Sequence, residues 1–141
     1  MSQDNKAPVA IIGYGTAGVN ALIGLRNAGY DGLVQVFSNT GIPPYSPILT
    51  SYYAGGEKTY EECFPWSADE LAELGAEVLE NCPVTELDTQ AHLIRTAQGD
   101  FPYSKCVIAS GATPQVLVTM LFDTLTQPAR TLGDDGVLAL P

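Results

Sequence analysis

The period of the apolar positions changes along the chain, and each change marks a different element. Residues 8–12 (PVAII) are a short unbroken apolar run that stops at Gly13, the pattern of a strand buried on both faces of a parallel sheet. Over residues 16–28 the spacing becomes helical. Ala17, Ala21 and Leu25 share one face with Leu22 and Ala28 beside it, and Gly29 stands where a glycine ends a helix. Residues 33–37 (LVQVF) return to a strand. Strand, glycine turn, helix and strand therefore fall within about 30 residues, one right-handed βαβ unit.

Residues 38–47, with Pro43, Pro44, Pro47 and Gly41 among polar turn formers, read as a loop. Residues 48–54 are expected to form a short helix closed by Gly55 and Gly56. Ser67 and Glu70 then make a capping box that starts another, with Leu71 and Leu74 as its apolar side and Gly75 as its stop. Residues 76–79 are short and apolar. Residues 84–87, 92–96 and 101–103 alternate at period two, an antiparallel meander turning at 88–90 and 98–100. Residues 105–109 (KCVIA) read as a further continuously buried core strand. The fold class is α/β, a parallel sheet with a small antiparallel insert. Residues 1–7 read as a polar, disordered N-terminus, and residues 115–141 are unassigned apart from the apolar run 116–122.

The turn Gly13-Tyr14-Gly15-Thr16-Ala17-Gly18 matches G-x-G-x-x-G directly after a strand and at the mouth of a helix, the context a dinucleotide site requires. Gly13 permits the tight turn, Gly15 lets a pyrophosphate approach the backbone, and Gly18 lets the helix pack on the strand. The first-turn amides and the helix dipole hold negative charge without a lysine. The acidic residue expected at the end of the second strand is replaced by Ser38 and Asn39, which offer neutral hydrogen bonds to a ribose. No Arg or Lys stands there, which argues against a 2′-phosphate.

Charge narrows the field further. Six Lys+Arg against 16 Asp+Glu give a net charge of −10, too little basic surface for a nucleic-acid binder. The chain is 45% apolar without a membrane-length run, and a soluble, cytosolic protein with no membrane partner is expected. Cys63, Cys82 and Cys106 are too widely spaced for a metal site or disulfide framework and read as small buried apolar residues. His92 reads as a surface or sheet-face histidine. The acidic residues Glu57, Glu61, Glu62, Asp69, Glu70, Glu73, Glu77 and Glu80 read as solvated surface.

Taken together, residues 9–18, the loop 44–51 with 54–57, and residues 103–114 (YSKCVIASGATP) resemble, in order, the FAD-dependent pyridine nucleotide-disulfide oxidoreductase superfamily. The similarity is to the branch holding NADH:rubredoxin and ferredoxin reductases, NADH oxidases and the flavin region of nitrite reductase large subunits. It covers residues 8–114 and implies a Rossmann-like, three-layer FAD/NAD(P)-binding fold. The resemblance places the FAD pyrophosphate at Gly13, Gly15, Thr16, Ala17 and Gly18, and a stretch near the flavin at Pro47, Ile48 and Ser51. It places the closing element of the FAD segment at Ala109, Ser110, Gly111 and Pro114, and an adenine contact near Val84.

Several departures qualify that picture. Pro47 stands where the branch commonly has arginine, Ser110 replaces threonine, and Ile48 occupies the place of a redox cysteine. The resemblance implies FAD as cofactor, with NAD(P)H as donor in the complete enzyme and an electron acceptor beyond, and no side chain is nominated as catalytic. The family's separate NAD(P)H-binding domain and returning G-D motif have no counterpart here, and residues 130–135 resemble the linker toward that domain. The chain is thus expected to be the N-terminal FAD-binding portion of such a reductase, as a fragment, a split subunit or a truncated product, and inactive alone. A companion polypeptide, a homodimer or an electron-transfer partner would complete it. The other class of reading is a non-catalytic nucleotide-binding or interaction subunit. Trp66, Tyr45, Tyr52, Tyr53 and Tyr60 are expected to pack under the loop rather than to cover a flavin ring, and the loss of a neighbouring strand predicts an exposed edge or apolar patch.

Overall fold

The structure, a computed structural model, describes residues 7–112. In chain order it holds β1 (Val9–Ile12), α1 (Thr16–Asn27), β2 (Val34–Phe37), α2 (Pro47–Ala54), a 3-10 turn (Glu61–Cys63), α3 (Ala68–Glu73) and β3 (Glu77–Leu79). These are followed by β4 (Val84–Asp88), β5 (Leu93–Thr96), β6 (Gly99–Pro102) and β7 (Lys105–Ile108). The expectations for residues 1–6, for Pro114 and for residues 115–141, including 116–122 and 130–135, lie outside the described residues.

Four strands make a parallel sheet in the order β3-β2-β1-β7, and three make an antiparallel sheet in the order β4-β5-β6. In register, Val9 stands beside Val34 on one side and Lys105 on the other, and Gln35 stands beside Glu77. The unbroken apolar run of β1 is needed because both its faces are covered. Val9 and Ile11 join Val34, Val36 and Leu22 of α1 in one core, while Ala10 and Phe37 meet Cys82, Ile94 and Tyr103 in another. Phe37 and Phe101 pack edge to face with ring centres 5.3 Å apart. Helix, parallel sheet and antiparallel sheet thus form three layers.

Local signals fix the helix ends. Ser67 and Glu70 form the reciprocal capping box. At the other end of α1, Arg26 donates to four carbonyls: Leu74 at 2.7 Å, Tyr30 at 2.7 Å, Gly32 at 3.0 Å and Gly75 at 3.0 Å. One guanidinium thereby joins α1, the approach to β2 and the end of α3.

Two expectations are corrected. The buried face of α1 is Gly18, Val19 and Leu22, with Ala21 and Leu25 half-buried, whereas Ala17 and Ala28 are exposed. The helix is seated on the strand through Gly18, which turns Ala17 outward. Second, β7 is not continuously buried. Among the described residues it pairs only with β1, so it forms an edge, with Val107 36% and Ile108 67% exposed. No described helix is long and apolar enough to cross a membrane.

Candidate nucleotide-binding cleft

The chain leaves β1 for α1 and β2 on one side, while β7 lies on the other, so the strand order reverses at the C-terminal end of β1. In open parallel sheets that reversal opens a crevice between the diverging connections. Gly13 caps the strand with φ +109°, and its N–H donates to the Phe37 carbonyl at 2.8 Å. A Cβ at Gly13 would lie 2.2 Å from the Ala109 oxygen, and one at Gly18 would lie 2.0 Å from the Gly13 oxygen. Both glycines are demanded by the packing of the protein itself. Gly15 differs: nothing lies within 4 Å of where its Cβ would be.

Gly15 is also the N-cap of α1, and that helix has neither a side-chain cap nor an acid in its first turn. Its leading amides are therefore free to face an anion, and the helix dipole favours one there. Thr16 donates its hydroxyl to the Tyr45 carbonyl at 3.4 Å, tying the proline-rich loop to the helix mouth.

The crevice has two lobes. One of about 310 Å³ is lined by Gly13, Gly15, Ser38, Asn39, Thr40, Tyr45, Ala109, Ser110 and Gly111, with Tyr14, Ile42, Pro43 and Pro44. The other, about 180 Å³, is lined by Ile12, Phe37, Cys82, Pro83 and Val84, and it shares Gly13, Asn39 and Ser110 with the first. No charged side chain lines either lobe. In a protein of net charge −10, the field within the crevice is left to backbone dipoles.

The structure thus brings Gly13, Gly15, Ser38, Asn39, Val84, Ala109, Ser110 and Gly111 around one crevice, with Thr16, Ala17 and Gly18 on the helix at its mouth. Ser38 is a wall residue. It is 4% exposed, its hydroxyl donates to the Thr40 carbonyl at 2.8 Å, and its backbone N–H donates to the Leu79 carbonyl at 3.0 Å. Pro47, Ile48 and Ser51 do not line these lobes. They are exposed on α2, where Ser51 donates to the Ile48 carbonyl at 3.0 Å. Sequence reasoning missed Tyr14, Thr40, Ile42, Pro43, Pro44, Tyr45, Cys82 and Pro83. The proline-rich stretch after β2 identifies a loop at a strand end, but not which of its residues turn inward.

Beside the crevice, a cavity of about 480 Å³ is lined by Tyr14, Pro43, Pro44, Tyr60, Phe64, Trp66, Ala68, Leu71, Val78 and Glu80. Burial, and secondarily the Glu80 carboxylate, push the Tyr14 hydroxyl pKa upward, so it stays protonated at neutral pH. The tyrosines correct an expectation. Tyr45, Tyr52, Tyr53 and Tyr60 are 43–55% exposed rather than packed away, and α2 carries no buried residue. Their rings instead meet edge to face, Tyr53 with Tyr60 and Tyr60 with Phe64, with ring centres 6.0 and 4.9 Å apart. All three cysteines are free thiols; Cys63 and Cys82 are buried, and burial raises the pKa of the half-buried Cys106. His92 is exposed, its ring 5.2 Å from that of Tyr103.

Comparison with known proteins follows the same outline. The profile of the family described as Pyridine nucleotide-disulphide oxidoreductase matches residues 7–139. Putidaredoxin reductase CamA of Pseudomonas putida is 30% identical over 111 residues, 77% of this chain and 26% of the relative. A rubredoxin-NAD(+) reductase of Ectopseudomonas oleovorans is 28% identical over 112 residues, 77% of this chain and 29% of the relative. A crystal structure of the covalent putidaredoxin reductase-putidaredoxin complex is similar with a TM-score of 0.72 and 27% identity, over 79% of this chain and 27% of that one. The chain therefore spans between a quarter and a third of the length of these relatives.

Proposed function

This chain belongs to the pyridine nucleotide-disulphide oxidoreductase family, and from that premise we propose that it is the FAD-binding portion of an NAD(P)H-dependent flavin oxidoreductase. The observation that carries the proposal is the contrast among the three glycines. Gly13 and Gly18 are required by internal packing, but the space in front of Gly15 is open and serves no packing need. An open, acid-free helix mouth beside a neutral crevice suits a pyrophosphate.

In this reading Gly13, Gly15, Thr16, Ala17 and Gly18 hold the pyrophosphate, Asn39 faces the ribose from the wall built by Ser38, and the slot at Val84 takes the adenine. Ala109, Ser110 and Gly111 close the crevice on the β7 side, and Pro47, Ile48 and Ser51 are assigned to the flavin end by family likeness. When bound, the flavin supplies the redox chemistry, taking hydride from NAD(P)H and passing electrons to an acceptor. The protein's part is to bind and orient. The described residues carry one nucleotide turn, so the nicotinamide nucleotide needs a site outside them, on a further segment or a companion polypeptide. Residues 8–114 are the FAD portion and 115–141 the lead toward that site. A homodimer and an electron-transfer protein are the partners this arrangement calls for. The three free thiols suit a reducing cytosol.

The test is the visible spectrum of the purified chain before and after incubation with FAD and gel filtration. Retained flavin absorbance that is lost in Gly15→Val, while the variant keeps a cooperative melt lowered by no more than several degrees, is the expected result. A chain that stays colourless in FAD but takes up ADP-ribose would overturn the flavin assignment in favour of a nucleotide-binding subunit.

A further inference from the structure

The cavity of about 480 Å³ beside the crevice has no part in nucleotide binding as described above. It meets the crevice at Tyr14 and two prolines of the loop, but the rest of its wall is of another character. Tyr60 and Phe64 pack edge to face with ring centres 4.9 Å apart, and the half-buried Trp66 adds a third aromatic side chain. Leu71 of α3 and Val78 of β3 supply aliphatic surface. One charged side chain lines the cavity, the exposed Glu80 just past β3, and among the described residues no Lys or Arg pairs with its carboxylate. The surroundings carry the same sign. Residues 59–80, which run through the 3-10 turn, α3 and β3, include Asp and Glu but neither Lys nor Arg.

We propose that this cavity is a ligand site separate from the nucleotide crevice, and that it takes an organic ammonium ion with an apolar body. Aromatic rings attract a cation through their quadrupoles, the Glu80 carboxylate adds Coulomb attraction, and the aliphatic wall accepts the body. The same carboxylate and its acidic surroundings repel phosphate, which keeps a nucleotide in the crevice and out of this cavity. Tyr14 adds a neutral hydroxyl where the two spaces meet, because burial and then Glu80 keep it protonated at neutral pH. Binding here needs no flavin.

Trp66 is the chain's one tryptophan, so its emission reports on the cavity directly. Titration of the full chain, without flavin and at fixed salt, with benzyltrimethylammonium should give a saturable change in that emission, and calorimetry should count one site. Choline should displace the probe, and 3,3-dimethylbutan-1-ol, of the same shape but uncharged, should need a concentration about tenfold higher or more. By calorimetry, Glu80→Gln should weaken the probe about fivefold, and Trp66→Leu, which keeps the wall apolar but removes the ring, by a similar factor. Both variants should keep the cooperative melt of the native chain. An emission that does not saturate, a neutral analogue that competes as well as choline, or an affinity unmoved by Glu80→Gln overturns the proposal. None of these results bears on whether the crevice retains FAD.

Discussion

Two residues show how differently a side chain can serve the same crevice. Gly13→Ala places a methyl at φ +109° against the Ala109 carbonyl, so a loss of about 3 kcal/mol or more in urea unfolding is expected. Gly15→Ala meets open space and should cost at most about 1 kcal/mol, the usual price of a changed N-cap. On the proposed reading its effect belongs to nucleotide retention instead. Arg26 is the other position where one side chain decides much: Arg26→Ala should lower stability by about 2–3 kcal/mol, and Arg26→Lys should recover less than half, since an ammonium cannot span four carbonyls. The glycines and the Ser67–Glu70 box were legible in the sequence because their signals are local. The role of Arg26 was not, because its partners come together only through the fold: Leu74 lies 48 residues away. Ser38 and Asn39 were both legible at the strand end, and it takes the fold to show that Ser38 is buried in the wall while Asn39 is exposed.

Among the elements, the antiparallel sheet and the head of α3 hold the carboxylates that carry the pH response. Arg95 on β5 reaches Asp88 at 3.1 Å and Asp100 at 2.9 Å, and Asp88 also accepts from the Ala91 N–H at 2.8 Å. That backbone bond foremost, and Arg95 after it, hold the Asp88 carboxyl below its ordinary range; the Ser67 amide and hydroxyl do the same for Glu70 at the head of α3. A depressed folded-state pKa gives stability that is full above the unfolded value and lost as pH falls through the folded one. Urea midpoints should therefore hold from pH 7 to about 5 and then drop below about pH 4, where carboxylates titrate. In Asp88→Asn the midpoint at neutral pH should fall and the acid slope should flatten. Strand and helix positions followed from periodicity, but the exposure of α2 and β7 did not. Apolar residues such as Ile48 and Ile108 fit a buried pattern whether or not anything covers them.

Across the whole fold, β7 pairs among the described residues only with β1, and its own Val107 and Ile108 are exposed. Unpaired edges with apolar side chains invite pairing with other strands. Ile108→Lys should raise the concentration at which the protein first self-associates in sedimentation velocity, without lowering its melting temperature. The α/β class and the order of elements were legible because each strand announced itself. The identity of the edge was not, since adjacency in a sheet is a property of the assembled chain.

The same strand sets a timetable. Ser104 donates to the Pro8 carbonyl across 96 residues, and Ala109 to Ile12, so one wall of the crevice is made by the last part of the described chain and the other by the first. At a synthesis rate of about 5–20 residues per second, β1 waits roughly 5–20 s on the ribosome for β7 to emerge. During that interval the glycine turn exists without the Ala109 carbonyl against which it closes. On the proposed reading, cofactor loading is therefore an event of the finished segment, and a nascent chain halted before residue 105 would have no crevice to offer a nucleotide.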